Sequence, residues 1–277
     1  MTQQDAGRVV MVTGASSGIG AATARCLAHA GITVVMCARR LELLEELRMT
    51  LPNAATHRCL AVDVTDAAAI SDAITTTVAH YQRLDAVICN AGIGITAPIA
   101  EMDYHQFQQV LAVNVGGFLH IVRATNPVFK ITGSGHYIVI SSVVGQHALP
   151  YNGGYSASKA ALERLCQALR IELRGSGIGL TVIRPGTVAT EFFEHRIGPD
   201  GERRIAKSNG MSPNVVAQSV LYALERRPRV IYPRLRDRLM SICADIFPSL
   251  TDVVLARSIT WQQKTGVDEM SSPVDSD

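Results

Sequence analysis

V-V-M-V-T-G-A-S-S-G-I-G-A-A, residues 9–22, changes character twice within one short stretch. Residues 9–12 are apolar and read as a buried strand. Residues 13–20 form a glycine-spaced loop, and an alanine-rich helical sequence then runs over 21–30 until Gly31 stops it. A glycine loop between a strand and a helix is the setting in which such a loop holds phosphate. Gly14 permits the tight turn, Gly18 lets the backbone approach a pyrophosphate, and Gly20 lets the helix pack close to the strand. Ser16, Ser17 and Ile19 complete the contacts expected of the loop. Free N–H groups of the first helical turn would face the anion. An ordinary strand-to-helix turn is the simpler alternative, and the flanking elements favour phosphate.

The alternation recurs outward from this point. Further strands are expected at 32–37, 60–62, 84–89, 137–140, 180–183 and 229–232. Helices are expected at 41–49, 67–80, about 104–124, about 156–173 and 214–225, the last started by Pro213. This order specifies an α/β chain with a single-domain Rossmann fold over about 1–264. Its core is a doubly wound parallel sheet of about seven strands with helices on both faces.

The strand ends carry the chemistry. A dinucleotide site usually has an acid at the tip of its second strand, bonding a ribose hydroxyl. Here residues 38–40 read A-R-R. Arginine forms bidentate bonds to phosphate, so Arg39 and Arg40 predict NADP(H), read through its 2′-phosphate. Arg40 equally suits the start of the polar helix 41–49, which makes Arg39 the better candidate. Asp63, followed by Val64, ends the third strand. It either accepts a bond from an adenine amino group or caps helix 67–80, a role for which Asp66 is better placed. Asn90, Ala91 and Gly92 end the fourth strand, and small residues there let backbone pass close to a ligand.

A second constellation follows the fifth strand. Ser142 lies thirteen residues before Tyr155, and Lys159 lies four after it. If Tyr155 opens a helix, Lys159 sits one turn on, on the same face. A hydroxyl at a strand end, a phenol at a helix start and an ammonium one turn further can converge on one small volume. The chemistry that fits is a carbonyl gaining a hydride and a proton. Asn114, in the middle of the helix expected at 104–124, is mildly unfavourable there. A buried side-chain hydrogen bond to the neighbouring strand explains it as well as a functional kink that holds water. His147 reads as a loop residue near the pocket mouth rather than as the base.

Between 190 and 212 the rhythm breaks into a polar, glycine-spotted segment after a strand end. That placement suits a substrate lid, or a mobile insertion without substrate contact. Beyond the last strand, 234–247 alternates Arg234, Arg236 and Arg238 with Leu235, Leu239, Met240, Ile242 and Ile246. It reads as an amphipathic helix ended by Pro248, with a second apolar segment at 250–261. This extension, about 234–262, could lie on a membrane surface, cover the pocket or form a subunit contact, packing within or between subunits being the commoner fate. Residues 265–277 are acidic and read as a disordered tail.

Composition narrows the classes. Hydrophobic residues make up 47% of the 277, enough for a sizeable core, and the net charge of +2 gives no reason to expect a nucleic acid or a membrane as the main electrostatic partner. The six cysteines are scattered without metal-ligand spacing, which predicts no metal and a reducing compartment. The polar start lacks an apolar signal core, so a cytoplasmic location is expected.

Taken together, T-G-A-S-S-G-I-G, N-A-G, Asn114, Ser142, Tyr155 with Lys159, and P-G-T-V with Thr190 resemble the short-chain dehydrogenase/reductase family in its compact form, over about 7–232. The resemblance implies a nicotinamide-dependent oxidoreductase acting on a ketone or aldehyde and the corresponding alcohol. It implies Tyr155 as general acid/base and Ser142 as second donor to the carbonyl oxygen. Lys159 would lower the tyrosine pKa and bond the nicotinamide ribose, and Asn114 would hold a relay water. It places Pro185, Gly186, Val188 and Thr190 against the nicotinamide carboxamide and diphosphate, and matches Arg39 to NADP(H) selection. Ser17 stands where a basic residue is often found. The apolar residues near the pocket (Ile93, Val144, Ala148, Leu149, Phe192, Phe193) suggest a fairly hydrophobic substrate. A 3-oxoacyl-carrier-protein reductase is the alternative within this chemistry, and a non-catalytic nucleotide sensor is the alternative outside it. By analogy the chain would be a homodimer or homotetramer paired through helices 104–124 and 156–173.

Overall fold

The computed structural model describes residues 7–193, 195–199, 201–205 and 210–263. The tail expected at 265–277 lies outside the described residues. Seven parallel strands form one sheet, the first six in chain order being β1 (Val9–Thr13), β2 (Thr33–Ala38), β3 (Arg58–Ala61), β4 (Ala86–Cys89), β5 (Gly135–Ile140) and β6 (Ile178–Ile183). A strand outside this sheet, β7 (Gly201–Ile205), precedes its last member, β8 (Val230–Ile231). The spatial order is β3-β2-β1-β4-β5-β6-β8. The chain grows outward from β1 in one direction, then returns to β1's other edge with β4. Register is fixed by pairs such as Val10 opposite both Val34 and Ala86.

Parallel strands buried on both faces read as unbroken apolar runs, and β1, β4 and β5 are buried throughout. Their alternation sorts two cores. Val10, Val12, Val34, Met36 and Ile138 pack with α1 (Gly18–His29), α2 (Leu41–Met49) and α7 (Pro213–Arg226). Val9, Met11, Val35, Tyr137 and Val139 face α3 (Ala67–Tyr81), α5 (Gly117–Thr132) and α6 (Gly153–Glu172). Helices therefore cover both faces, as expected.

Three local readings change. The helix expected at 104–124 is α4 (Tyr104–Leu111), one π-helical turn at Ala112–Gly116, and α5, which runs on through Pro127 to Thr132. Pro127 is tolerated because it falls in an otherwise strong amphipathic helix that buries Phe118, Ile121 and Phe129. The segment expected as a lid is built from a short turn at Glu191–Phe193, an Ile95–Ile197 bridge, and β7. The apolar stretch 250–261 is not one helix. α8 (Leu235–Ile246) and α9 (Pro248–Ser258) are followed by β9 (Ile259–Gln263), which pairs antiparallel with β7. Lid and C-terminal extension are thus joined by a ladder that neither segment's own sequence announces.

Candidate active site

The strand order reverses direction between β1 and β4, and a crevice outside the carboxyl ends of strands opens at such a point. The 13–20 loop and the 90–92 turn meet there. Gly14 adopts φ +64°, and a Cβ on it would lie 2.8 Å from the Ala91 Cα, so the two strand tips come together only around a glycine. Asn90 locks them: its Nδ2 donates to the carbonyls of Thr13 (3.0 Å) and Gly14 (3.1 Å), and its N–H donates to the Thr13 Oγ1 (3.1 Å). The Asn90 side chain is thereby spent on the scaffold. Ile19 likewise packs against the core.

The start of α1 suits an anion. Its N-cap residue Ser17 makes no side-chain capping bond and its first turn carries no acid, so the helix's positive end is not answered from within. Thr190, from beyond β6, reaches Gly18: its Cγ2 lies 3.2 Å from where a Cβ on Gly18 would be. Arg39 and Arg40 are exposed at the tip of β2, and Arg40 Nη2 donates to the Ser16 Oγ (3.3 Å) across the loop. Asp63 accepts from the Thr65 N–H (2.9 Å) and hydroxyl (2.7 Å), while Asp66 caps α3 through Ala68 and Ala69. Burial works to raise the Asp63 carboxyl, but the Thr65 bonds and the Arg39 charge outweigh it and hold the acid low. Val64 is buried, and its carbonyl accepts from His120 Nδ1 (3.0 Å), assuming that ring nitrogen carries the proton. The residues at the loop and the β2 tip therefore fit a dinucleotide: an open helix start and a glycine cradle, with two exposed guanidinium groups beside them.

The second constellation assembles beside it. Lys159 is buried in α6, and its Nζ donates to the Ile140 carbonyl (2.9 Å) at the end of β5. It lies 5.8 Å from the centroid of the Tyr155 ring. Ser142 caps the turn Val143–Gly145 by accepting from the Val144 N–H (3.3 Å). That turn sits directly on the Lys159 backbone, since a Cβ on Gly145 would be 3.2 Å from the Lys159 carbonyl carbon. Burial lowers the Lys159 ammonium to about 8, opposed by Cys166, Glu163 and Cys89. Burial pushes the Tyr155 phenol above its ordinary value. The Lys159 ammonium bonds Ile140 and stands off the ring.

Asn114 makes the buried side-chain bonds expected of it, to the turn that follows β4. It occupies the π-helical turn, and its Oδ1 accepts from the Ile93 N–H (2.9 Å). Its Nδ2 donates to the Ile93 carbonyl (3.0 Å) and the Ser158 hydroxyl (2.9 Å). Ser158 in turn donates to the Tyr155 carbonyl (2.7 Å), so Asn114 fixes the start of α6. A 10 Å³ cavity, about the size of one water, is lined by Asn114, Ala91 and Thr13 among others.

Some of this was not foreseen. Ser158 carries no signal beyond its i+3 spacing from Tyr155. Behind Lys159, Glu163 accepts from two Arg184 nitrogens, Nε (3.0 and 3.1 Å to its two oxygens) and Nη2 (2.6 Å), and once each from Ser141 (2.7 Å) and Gln146 (2.7 Å). Arg184 also donates to the Tyr232 hydroxyl (2.7 Å). This buried network ties β5, β6 and α6 together under Ser142. The Phe192 ring lies 5.4 Å from that of Tyr155, so the segment after β6 does reach the site. His147 sits 3.1 Å from Asp245 of α8 and not at the centre, as expected. Val188 pairs with Met211, and Gly186 abuts Asp237 of α8.

Comparison with known proteins places this geometry. The family described as short chain dehydrogenase matches residues 8–198. An uncharacterized oxidoreductase of Listeria innocua is 33% identical over 225 residues, covering 79% of this chain and 91% of that protein. Glycine betaine reductase of Emericella nidulans is 33% identical over 81% of this chain, which spans 18% of that protein's length. An alcohol dehydrogenase from Thermococcus sibiricus, solved with 5-hydroxy-NADP, is 27% identical with a TM-score of 0.71, covering 81% of this chain and 95% of that one.

Proposed function

This chain belongs to the short-chain dehydrogenase family, and from that premise we propose that it is an NADP(H)-dependent oxidoreductase. It would interconvert a ketone or aldehyde and an alcohol on a fairly hydrophobic small molecule. The observation that carries the reading is the packing of Tyr155 between Lys159 and Phe192, next to a glycine loop whose helix start is unanswered. The cofactor, when bound, supplies or accepts the hydride. Tyr155 gives the proton to the carbonyl oxygen. The phenol is protonated at neutral pH, the form that donates.

Lys159 holds positive charge beneath the developing alkoxide, at a pKa close enough to neutrality for proton exchange. Ser142 offers a second hydroxyl from the turn that α6 braces. Asn114 positions Tyr155 through Ser158, and the small cavity beside it gives room for a relay water. Arg39 supports NADP(H) over NAD, since it is exposed at the β2 tip where no acid stands. The neighbour solved with a modified NADP is consistent with that choice. The exposed apolar side chains Tyr104, Leu119, Ile131 and Ile171 on α4, α5 and α6 support pairing of copies through these helices.

The test is nicotinamide absorbance with NADPH or NADH and a panel of apolar ketones and aldehydes. Oxidation of NADPH, faster than of NADH, is expected. Tight NADPH binding without turnover across the panel would favour the sensor instead.

A further inference from the structure

α8 is packed inside out. At about 100° per residue, Asp237, Ser241 and Ala244 fall on one face, and all three are 9% exposed or less. The opposite face carries Leu235, Leu239, Ile242 and Ile246, at spacings i, i+4, i+7 and i+11, each between 41% and 69% exposed. A helix of a globular protein buries its apolar stripe; this one buries its polar side and presents the stripe outward. Arg236 and Arg238 stand on either flank of the stripe, and both are exposed. α9 continues the pattern: Leu250, Val253 and Val254 are exposed, and none of its residues is buried. Phe247, at the bend between the helices, is also exposed.

We propose that the outward faces of α8 and α9 seat the enzyme on an anionic phospholipid surface. The apolar stripe is a strip of leucine and isoleucine wide enough to enter the acyl boundary, and flanking arginines reach headgroup phosphates with their stems along the same apolar layer. Charge favours this occupant: exposed Arg236 and Arg238 bracket the stripe of α8, Asp237 is turned away from it against Gly186, and Asp245 faces His147, which leaves Asp252 of α9 as the other exposed acid on the pair. The pair lies on the surface and does not cross it. Among the described residues no single helix is long and apolar enough to span, and the axis turns by 118° between α8 and α9. The inward face meets the Ser142 turn through His147 and Asp245, so docking leaves the reaction site one helix away from the lipid.

The experiment is sedimentation of the full chain with sucrose-loaded vesicles, either phosphatidylcholine alone or phosphatidylcholine with phosphatidylglycerol. Binding to the anionic vesicles is expected, weaker at high salt. The double variant Leu239→Glu, Ile242→Glu should abolish it. Arg236→Glu with Arg238→Glu should lower the partition coefficient on the order of tenfold. Fluorescence of the chain's one tryptophan, Trp261, gives a second readout that does not depend on turnover. Both vesicle types leaving all protein in the supernatant would overturn the proposal. So would self-association in the absence of lipid that the Leu239/Ile242 variant alone removes, because the stripe would then belong to a second copy.

Discussion

Tyr155 and Lys159 show how the same burial acts oppositely on an acid and a base. Desolvation raises the phenol and lowers the ammonium, so each is pushed toward its neutral form. A neutral phenol is a competent proton donor, and an ammonium near 8 can refill it. Asn114, Ser142, Tyr155 and Lys159 were legible because their types and spacing repeat a pattern. Ser158 and Phe192 owe their place to distance in space, which spacing along a chain does not encode. Arg39 is the residue on which cofactor choice turns. Arg39→Asp should lower kcat/KM with NADPH about ten- to a hundredfold relative to NADH, the worth of one or two charged hydrogen bonds. Initial rates with both cofactors check this, and an unchanged ratio would place phosphate recognition elsewhere.

At the scale of elements, alternation along the chain specified the sheet and both helical layers, because a parallel strand buried on two faces leaves an unmistakable apolar run. What it did not show were interruptions caused by tertiary contacts, such as the π-helical turn that aims Asn114 at Ile93. Two elements are held by buried polar groups whose charge state matters. Glu163 answers Arg184 across α6 and β6, so Glu163→Gln leaves a half-buried guanidinium uncompensated. That variant should lose about 3 kcal/mol in urea denaturation. Between β5 and β6, Thr181 Oγ1 gives its proton to the Pro228 carbonyl, so His136 Nε2 must donate to Thr181 and Nδ1 is left bare. Burial, with Arg227 and Arg8 nearby, lowers His136 to about 3. The unfolded chain takes up a proton below about 6.5 that the folded one refuses, so stability falls as pH drops from there toward 3. Denaturation midpoints across that window should show a loss of about 4 kcal/mol that His136→Gln removes.

For the molecule as a whole, two bodies of sequence play different parts. The sheet and its helices hold the site; the segment after β6 and the C-terminal extension are joined by the β7–β9 ladder and meet the edge of the site through Phe192 against Tyr155 and Asp245 against His147. The ladder escaped the sequence because its two short strands lie more than fifty residues apart with no shared pattern. All six cysteines are free, with Cys37, Cys89 and Cys166 buried and Cys243 exposed on α8. Burial pushes the thiols of Cys37 and Cys166 up to about 12, which suppresses the reactive thiolate. Iodoacetamide on the native chain should label Cys243 and spare those three until urea is added, as read by peptide mass spectrometry. The central claim is narrower than any of these: one phenol delivers the proton. Stopped assays of NADPH oxidation with the best ketone of the panel, wild type against Tyr155→Phe, test it directly. The account predicts a fall in kcat of about 10²- to 10⁴-fold with NADPH affinity retained, and a variant that reduces the ketone at the wild-type rate would contradict it.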